Sequence, residues 1–343
     1  TVGLVSDLPD RDADTVAFIE GIKASYEEEL NTVIAQSSLL LTGYTSDGVR
    51  LVRSRETNIG NLCADAYRAV AGADIGLVNG GGVRADIAAG GVTYADMIAV
   101  HPFGNTLCMV EATGREIVDA LEVSVCEVQS EYASDGAAVG ENGSFLQVSG
   151  IRFTVDTSVE SSVVFDENFM LASIGENRRV KDVEVLGDDG EYHPIELERT
   201  YTVASHNYLL ADSGCGHSIF SDNVFLIDRA MSDYEVLITY VADILGGNIG
   251  EEYAATQGRI TVNGKVAKPG LEVKVGDEIF IQFGQNNTRP ACQGSRVLFF
   301  FKFYYVGYAA VEGITEGIER FCAYCFTFFY TMECVCRKTL LKN

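Results

Sequence analysis

Between Asn58 and Leu121 the chain alternates between two periodicities, and that alternation limits the fold more than any other feature. Ile59, Leu62, Cys63, Ala66, Tyr67 and Val70 recur at three- and four-residue steps, which predicts a helix with one apolar face. Ile75–Val78 is a short apolar run, read as a buried strand, and it stops at Asn79-Gly80-Gly81-Gly82. Thr93 is placed to cap a short helix through Val100, and Leu107–Ala112 reads as the next strand. Thr113-Gly114-Arg115-Glu116 then matches a capping box, with Ile117, Ala120 and Leu121 continuing a helix. Helix and strand in alternation predict an α/β core.

The flanks modify that prediction. Ile151–Val155, Val180–Val185 and Tyr201–Ala204 read as further strands, and Tyr234–Leu245 as a helix stopped by Gly246-Gly247. The expected class is therefore α/β tending to α+β, with mixed sheets flanked by helices. Upstream, Phe18, Ile19, Ile22, Tyr26, Leu30 and Val33 predict an amphipathic helix whose wet side carries Glu27, Glu28 and Glu29. Ser46-Asp47-Gly48 reads as a turn. Asn263-Gly264 between Arg259–Val262 and Val273–Phe283 is a hairpin signal.

Charge divides the chain. Its 49 acidic and 25 basic residues leave a net charge of −24, yet residues 285–343 carry +3, and so −27 falls on the first 284. The same 59-residue tail holds 13 of the 34 aromatics and five of the nine cysteines. Its runs Leu298-Phe299-Phe300-Phe301 and Phe326-Thr327-Phe328-Phe329-Tyr330 show neither helix nor strand periodicity. The boundaries expected are a linker remnant over 1–11, a main domain over 12–265, a hairpin extension over 266–284 and an unassigned tail over 285–343. So acidic a chain repels a phosphate backbone, and nucleic acid is not an expected partner. A small anion can bind only where arginines locally reverse the field. No basic-then-apolar leader follows Thr1, so no signal peptide is read in the chain. Val297–Val311, interrupted by Lys302, falls short of the roughly 20 residues of a membrane span.

Four stretches carry residues suited to binding. The glycines of Asn79-Gly80-Gly81-Gly82-Val83-Arg84 let backbone N–H groups approach a ligand, and Arg84 adds a permanent cation with a fork of donors. Arg55-Glu56-Thr57-Asn58 precedes a helix, with Asn58 a cap and Arg55 near the helix start. His101-Pro102-Phe103-Gly104-Asn105 offers an aromatic ring in a loop, suited to stacking on a flat ligand. Asn207–Phe220 is a second glycine-containing loop, with His217 inside it and Asp222 just beyond. Metal chemistry finds little support. Of His101, His193, His206 and His217, no two lie at ligand spacing on one helix, and Cys322-x-x-Cys325 with Cys334-x-Cys336 has the second pair too close for a zinc site.

Taken in order, these motifs are more specific than any one of them. Arg55-Glu-Thr-Asn-Ile-Gly-Asn-Leu-Cys-Ala-Asp65, Asp74-Ile-Gly-Leu-Val-Asn-Gly-Gly-Gly-Val-Arg84-Ala-Asp86 and Tyr94-Ala-Asp-Met-Ile-Ala-Val-His-Pro-Phe103-Gly-Asn105-Thr resemble the C-terminal domain of the 5′-nucleotidase and UDP-sugar hydrolase family. The likeness continues through Phe145–Gly150, Asn207–Phe220 and Gln257–Ile260, about residues 12–262 in all.

The resemblance implies a domain that binds a nucleotide, nucleoside or nucleotide sugar and holds no catalytic residue or metal ligand. It also implies a separate N-terminal metallophosphatase domain that carries two divalent metal ions and hydrolyses the phosphate ester. That domain's Asp-x-His and Gly-Asn-His-Asp/Glu motifs are absent from this sequence, and no other cofactor is expected. By the same resemblance, the substrate-binding set is Arg55, Asn79, Gly81, Gly82, Arg84, Phe103, Asn105, His217 and Asp222. Arg55 and Arg84 would meet phosphate or ribose, Asn79 the base, and Asp222 the ribose hydroxyls. Phe103 would form one side of an aromatic clamp. The family's Gly-Asp-Gly-Phe/Tyr stands here as Gly214-Cys215-Gly216-His217, so His217 would be the other side, stacking more weakly and depending on pH. An extracellular, periplasmic or cell-wall location also follows from the resemblance. The alternative is a noncatalytic binding or surface module that keeps the fold. Gly258–Gly284 further resembles the hairpin half of an S4 RNA-binding module, through Val262-Asn-Gly-Lys-Val-Ala-Lys-Pro269 and Val275-Gly-Asp277, without the basic helices that precede it there.

Overall fold

In a computed structural model the described residues are 12–45, 48–129, 141–266 and the strand pair 278–281 and 299–302. The expected linker, the Ser46-Asp47 part of the turn and most of the tail lie outside them. Contacts divide the chain into two compact units, Thr1–Leu271 and Glu272–Asn343.

Helix α1 (Ala13–Leu30) starts where the Asp12 carboxylate accepts from Thr15 N–H at 2.8 Å. It stops three residues before the expected Val33, because Asn31 folds its amide back onto the Glu27 carbonyl. Val33 instead opens strand β1 (Val33–Ser37). The apolar side of α1 is exposed at Phe18, Ile19, Ile22 and Tyr26.

Helix α2 (Asn58–Ala71) is capped by Thr57, whose hydroxyl accepts from Gly60 N–H at 3.1 Å. Asn58, the expected cap, is the first helical residue. Its amide donates to the Leu40 and Tyr253 carbonyls and accepts from Thr42 N–H, which removes it from capping. Strand β2 (Ile75–Asn79) is buried at all five residues. Strand β3 (Gly90–Thr93) leads into α3 (Tyr94–Val100), and β4 (Leu107–Thr113) into α4 (Gly114–Ser124). Both helices open with complete capping boxes, Thr93 with Asp96 and Thr113 with Glu116.

The chain continues through β5 (Leu146–Ser149), β6 (Ile151–Val155), the hairpin β7 (Val163–Phe165) and β8 (Leu171–Ile174), β9 (Val180–Leu186), β10 (Tyr192–Pro194) and β11 (Thr200–His206). After the short α5 (Asn207–Leu210) and β12 (Phe225–Ile227) comes α6 (Asp233–Ile238), which widens to a π-helical turn over Thr239–Ile244 and ends at Gly246. Strands β13 (Asn248–Ile249), β14 (Ile260–Val262) and β15 (Lys265–Val266) complete the first unit.

The central sheet has the order β12-β4-β11-β2-β5. Strand β2 runs parallel to β11 and antiparallel to β5, so the sheet is mixed. Being central, β2 feeds two cores. Ile75 and Leu77 pack with Val110, Leu121, Phe145 and Val203 on one face, and Val78 with Ile59, Leu62, Tyr67 and Val100 on the other. This explains the unbroken apolar run where a half-exposed strand would alternate. A second sheet, β10-β9-β6-β14-β15, covers the first core, and a three-stranded sheet, β13-β1-β3, flanks the second. The expected mixed sheets with flanking helices are what the structure shows.

Gln257–Ile260 is fastened to the start of α2. The Glu56 carboxylate accepts from Gln257 N–H, Ile260 N–H and Asn61 Nδ2, and Arg259 forms two bonds to Asp65 at 2.7 and 2.8 Å. Tyr253 Oη and Ser149 Oγ donate to the same carboxylate. These bonds bring β14 in parallel to β6, with Ile260 opposite Phe153. The hairpin signal at Asn263-Gly264 joins β14 to Lys265–Val266 and not to the expected Val273–Phe283, because a two-residue turn pairs the residues directly on either side of it. In the second unit, β16 (Glu278–Ile281) pairs antiparallel with β17 (Phe299–Lys302). Phe299–Phe301 thus lie in a strand despite lacking its periodicity.

Candidate ligand site at the end of the central strand

The two glycine loops meet where β2 ends. Strand β2 delivers Asn79 and β11 delivers His206 to the same edge of the central sheet, since Ile75 faces Val203 in parallel register. Asn79 is buried. Its Nδ2 donates to the Gly143 carbonyl at 2.8 Å, and its Oδ1 lies 3.0 Å from His206 Nε2. Leu209 N–H donates to His206 Nδ1, which leaves Nε2 as the protonated nitrogen that donates to Asn79. Asn79, expected to meet the base, has its amide bracing the loop from behind.

Gly80–Gly82 continue from Asn79 as a single 3-10 turn, held by Gly80 N–H to the Phe145 carbonyl and Gly81 N–H to the Gly143 carbonyl. A side chain at Gly81 would meet the Gly143 carbonyl at 2.9 Å and Asn79 Nδ2 at 3.1 Å, and one at Gly82 would meet Asn79 Oδ1 at 3.1 Å. Close backbone approach is therefore enough to explain glycine at both positions. Behind the turn, His101 Nδ1 donates to the Gly82 carbonyl at 3.1 Å, and Tyr67 lies edge-on to both His101 and His206. Burial pushes the His101 pKa down to about 4. Burial, with His101 nearby, pushes His206 down to about 3.

In front of the turn the side chains are exposed and cationic. Arg84 Nη1 lies 3.5 Å from the Gly81 carbonyl, and its guanidinium carbon is 5.7 Å from the centre of the Phe103 ring. Phe103 is 59% exposed. Arg53, from the 3-10 turn Leu51–Arg53, joins this group. Burial lowers its pKa first, followed by repulsion from Arg50 and Arg84 against the attraction of Glu141. Glu141 stands 3.5 Å from Arg50 and 3.4 Å from Arg53. Arg50 and Arg53 share this one carboxylate, and Arg84 stands near enough to Arg53 to repel it, so among the described residues the sign is locally reversed on a chain of net charge −24. Arg50 and Arg53 were not picked out from the sequence. The signal available was their spacing, three and two residues apart on the approach to Arg55.

Arg55 itself points elsewhere. It is only 7% exposed, and its guanidinium donates to the Ser54 and Gln129 carbonyls at 2.6 Å each. Arg55, expected to meet phosphate or ribose, is here enclosed and ties Gln129 to the approach of α2. Asn105 is half-buried. Its N–H donates to Asp233 Oδ2 at 3.2 Å, and Asp233 N–H donates to its carbonyl. Burial raises the Asp233 pKa to about 6, against its hydrogen bonds.

The second glycine loop closes on the first. Ser213, Cys215 and Gly216 have φ of 54, 56 and 78°, a left-handed path. Cys215 Sγ lies 3.4 Å from Tyr208 Oη and 3.9 Å from Asn79 Nδ2. His217 follows, fully buried, with Nε2 donating to the Ser144 carbonyl at 3.3 Å. A ring without exposed surface offers no face to a ligand, and burial pushes its pKa to about 4, so it is neutral at pH 6. His217, expected as the second side of an aromatic clamp, is here enclosed and bonded to Ser144. Asp222 is exposed, but the neighbouring Asn223 donates to the Glu111 carbonyl, ~13 Å along β4 from Leu107 at the site edge. The structure brings together Gly81, Gly82, Arg84 and Phe103 with Arg53 and Arg50. It sets Asn79 and Asn105 in the supporting wall and encloses Arg55 and His217.

Among the described residues, no group of three or more His, Cys, Asp or Glu is placed to hold a metal ion, and no helix is long and apolar enough to cross a membrane.

The family model of the 5′-nucleotidase C-terminal domain matches residues 33–222, more than half of the chain. An S4 domain model matches residues 254–279, of which Ile260–Val262 and Lys265–Val266 are strands of the second sheet. The trifunctional nucleotide phosphoesterase protein YfkN of Bacillus subtilis is 31% identical over 222 residues, 64% of this chain and 13% of that protein. Cell wall protein Lmo0130 of Listeria monocytogenes is 28% identical over 243 residues, 67% of this chain and 27% of that protein. Among solved structures, the 5′-nucleotidase precursor of Thermus thermophilus superposes with a TM-score of 0.57 at 30% identity, covering 76% of this chain and 44% of that one. The chain thus spans less than half the length of each of these relatives. It belongs to the 5′-nucleotidase C-terminal domain family.

Proposed function

From this membership, we propose that the chain is the nucleotide-binding part of a 5′-nucleotidase-type hydrolase acting on phosphate esters of nucleosides or on nucleotide sugars. The observation that carries the proposal is the convergence of Arg50, Arg53 and Arg84 beside the glycine turn and the exposed Phe103 ring. An anion attached to a flat ring matches that pairing: guanidinium forks meet phosphate oxygens and the phenyl ring stacks on the base. Arg53 and Arg84 take the phosphate role that the resemblance gave to Arg55 and Arg84.

The chemical step belongs, on this proposal, to an N-terminal metallophosphatase domain with two divalent metal ions, which supply an activated water to attack phosphorus. The residues of the present chain bind and orient the substrate and offset part of its charge. An extracellular or cell-wall setting is proposed with it, supported by the match to a cell wall protein.

Calorimetry on the chain with AMP, adenosine and ribose 5-phosphate tests the reading. AMP should bind tighter than either part alone, with a dependence on salt that adenosine lacks. If none of the three binds, the noncatalytic surface module becomes the better account.

A further inference from the structure

The β7–β8 hairpin lies outside the larger sheets, and its tip is built with more care than a connecting turn requires. Asp166 Oδ1 accepts from the N–H groups of Asn168 and Met170 at 2.8 and 2.9 Å. Asp166 N–H donates to the Met170 carbonyl, and Phe169 N–H to the Asp166 carbonyl. So fixed, the turn holds Phe169 at φ 60°, a left-handed conformation unfavourable to any residue with a Cβ. The Phe169 ring is 82% exposed, more than any other large apolar side chain described. Burial in a core does not account for it.

The tip lies against the second glycine loop. A Cβ on Gly216 would fall 2.5 Å from the Phe169 carbonyl oxygen and 3.1 Å from the Phe165 ring. Cys215 is the next residue back, and its sulfur lies 3.9 Å from Asn79 Nδ2 at the root of the first glycine turn. Hairpin tip, Cys215–Gly216 and Asn79–Gly82 are therefore contiguous, with Arg84 and Phe103 beyond them.

We propose that Phe169 is a ligand-stacking residue of this site. Its ring covers the flat ring of a nucleoside lying across the Cys215–Gly216 loop, while the ligand's anionic end turns towards Arg53 and Arg84. An aromatic ring on a fixed backbone loses little freedom on covering a ligand there. Because every base has a π-face, Phe169 contributes affinity and not base choice. The inference rests on the nucleotide-binding reading above.

The chain contains no tryptophan, so Phe169→Trp introduces a single tryptophan at the tip, excited apart from the tyrosines at the red edge of indole absorption. Its emission should change on titration with adenosine and AMP and stay constant with ribose 5-phosphate. Phe169→Ala should weaken adenosine and AMP by roughly 10- to 100-fold and leave ribose 5-phosphate and the thermal midpoint unchanged. Phe169→Gly should raise the midpoint, by relieving the left-handed backbone, while losing the same affinity. Unaltered adenosine binding by Phe169→Ala, when the native chain binds adenosine, would overturn this inference and leave nucleotide binding standing. If the native chain binds neither adenosine nor AMP, the nucleotide reading fails and takes this inference with it.

Discussion

Acidification from pH 7 to pH 5 should destabilise this protein by an amount that its buried imidazoles set. His101, His206 and His217 are fully buried, and their pKa values fall to about 4, 3 and 4. The unfolded chain protonates each near 6.5, so below that pH it binds more protons than the folded state, and stability falls with pH. Each imidazole kept neutral costs roughly 2 kcal/mol between pH 7 and pH 5. Asp233 acts in the opposite sense. Its folded pKa of about 6 lies above the unfolded value, so it adds stability as the pH falls through 6, about 1 kcal/mol by pH 5. The net loss is then roughly 4–5 kcal/mol, a large share of the ~5–15 kcal/mol typical of a domain. The exposed carboxylates with lowered pKa, Asp12, Asp156, Asp189 and Glu235, act mainly below this window. Urea denaturation followed by circular dichroism at the two pH values measures the difference. His217→Gln should reduce it to roughly 2–3 kcal/mol. A difference below about 1 kcal/mol in the native chain would refute the claim that all three rings are held neutral in the interior.

Other perturbations separate binding from folding. Arg53→Met should weaken AMP by about tenfold, with adenosine and the thermal midpoint little changed, as expected of one charge-assisted phosphate contact. Arg55→Met should lower the midpoint, because the buried Ser54 carbonyl and the Gln129 carbonyl lose their donor, and a change confined to AMP affinity would argue against the enclosed position. Asp65→Ala should cost about 3–5 kcal/mol in urea melts by leaving Arg259 buried and unpaired, and Asp65→Leu with Arg259→Met should recover most of the loss. Phe103→Ala should weaken adenosine by about one order of magnitude in calorimetry, and unchanged binding would remove that ring from the site.

The parts of the fold legible in the sequence are those decided within a few residues. The N-cap at Thr93 and the capping box at Thr113 were readable because cap and partner stand three residues apart, and both form, with Asp96 completing a box at Thr93. The β2 strand and its glycine exit were readable from one short apolar run and the break after it. Where two residues of one chemical type stand close together, the sequence could not choose between them. Thr57 caps α2 because Asn58 is drawn to the Leu40 and Tyr253 carbonyls, 18 and 195 residues away.

The sequence alone determined the alternation of helix and strand from α2 to α4, and it put the glycine turn at the end of a buried strand. The tertiary structure decided which polar side chains face a ligand. Arg53 stays in front with Arg84, while Arg55 turns inward to a carbonyl 74 residues away. His217 is enclosed by a carbonyl at a separation of 73 residues. Helix caps and strand runs are set by neighbours along the chain, whose interactions any local window contains. Burial is set by packing between segments distant in sequence, and the desolvation that turns a histidine from a solvent-facing ring into a neutral strut exists only once those segments have met.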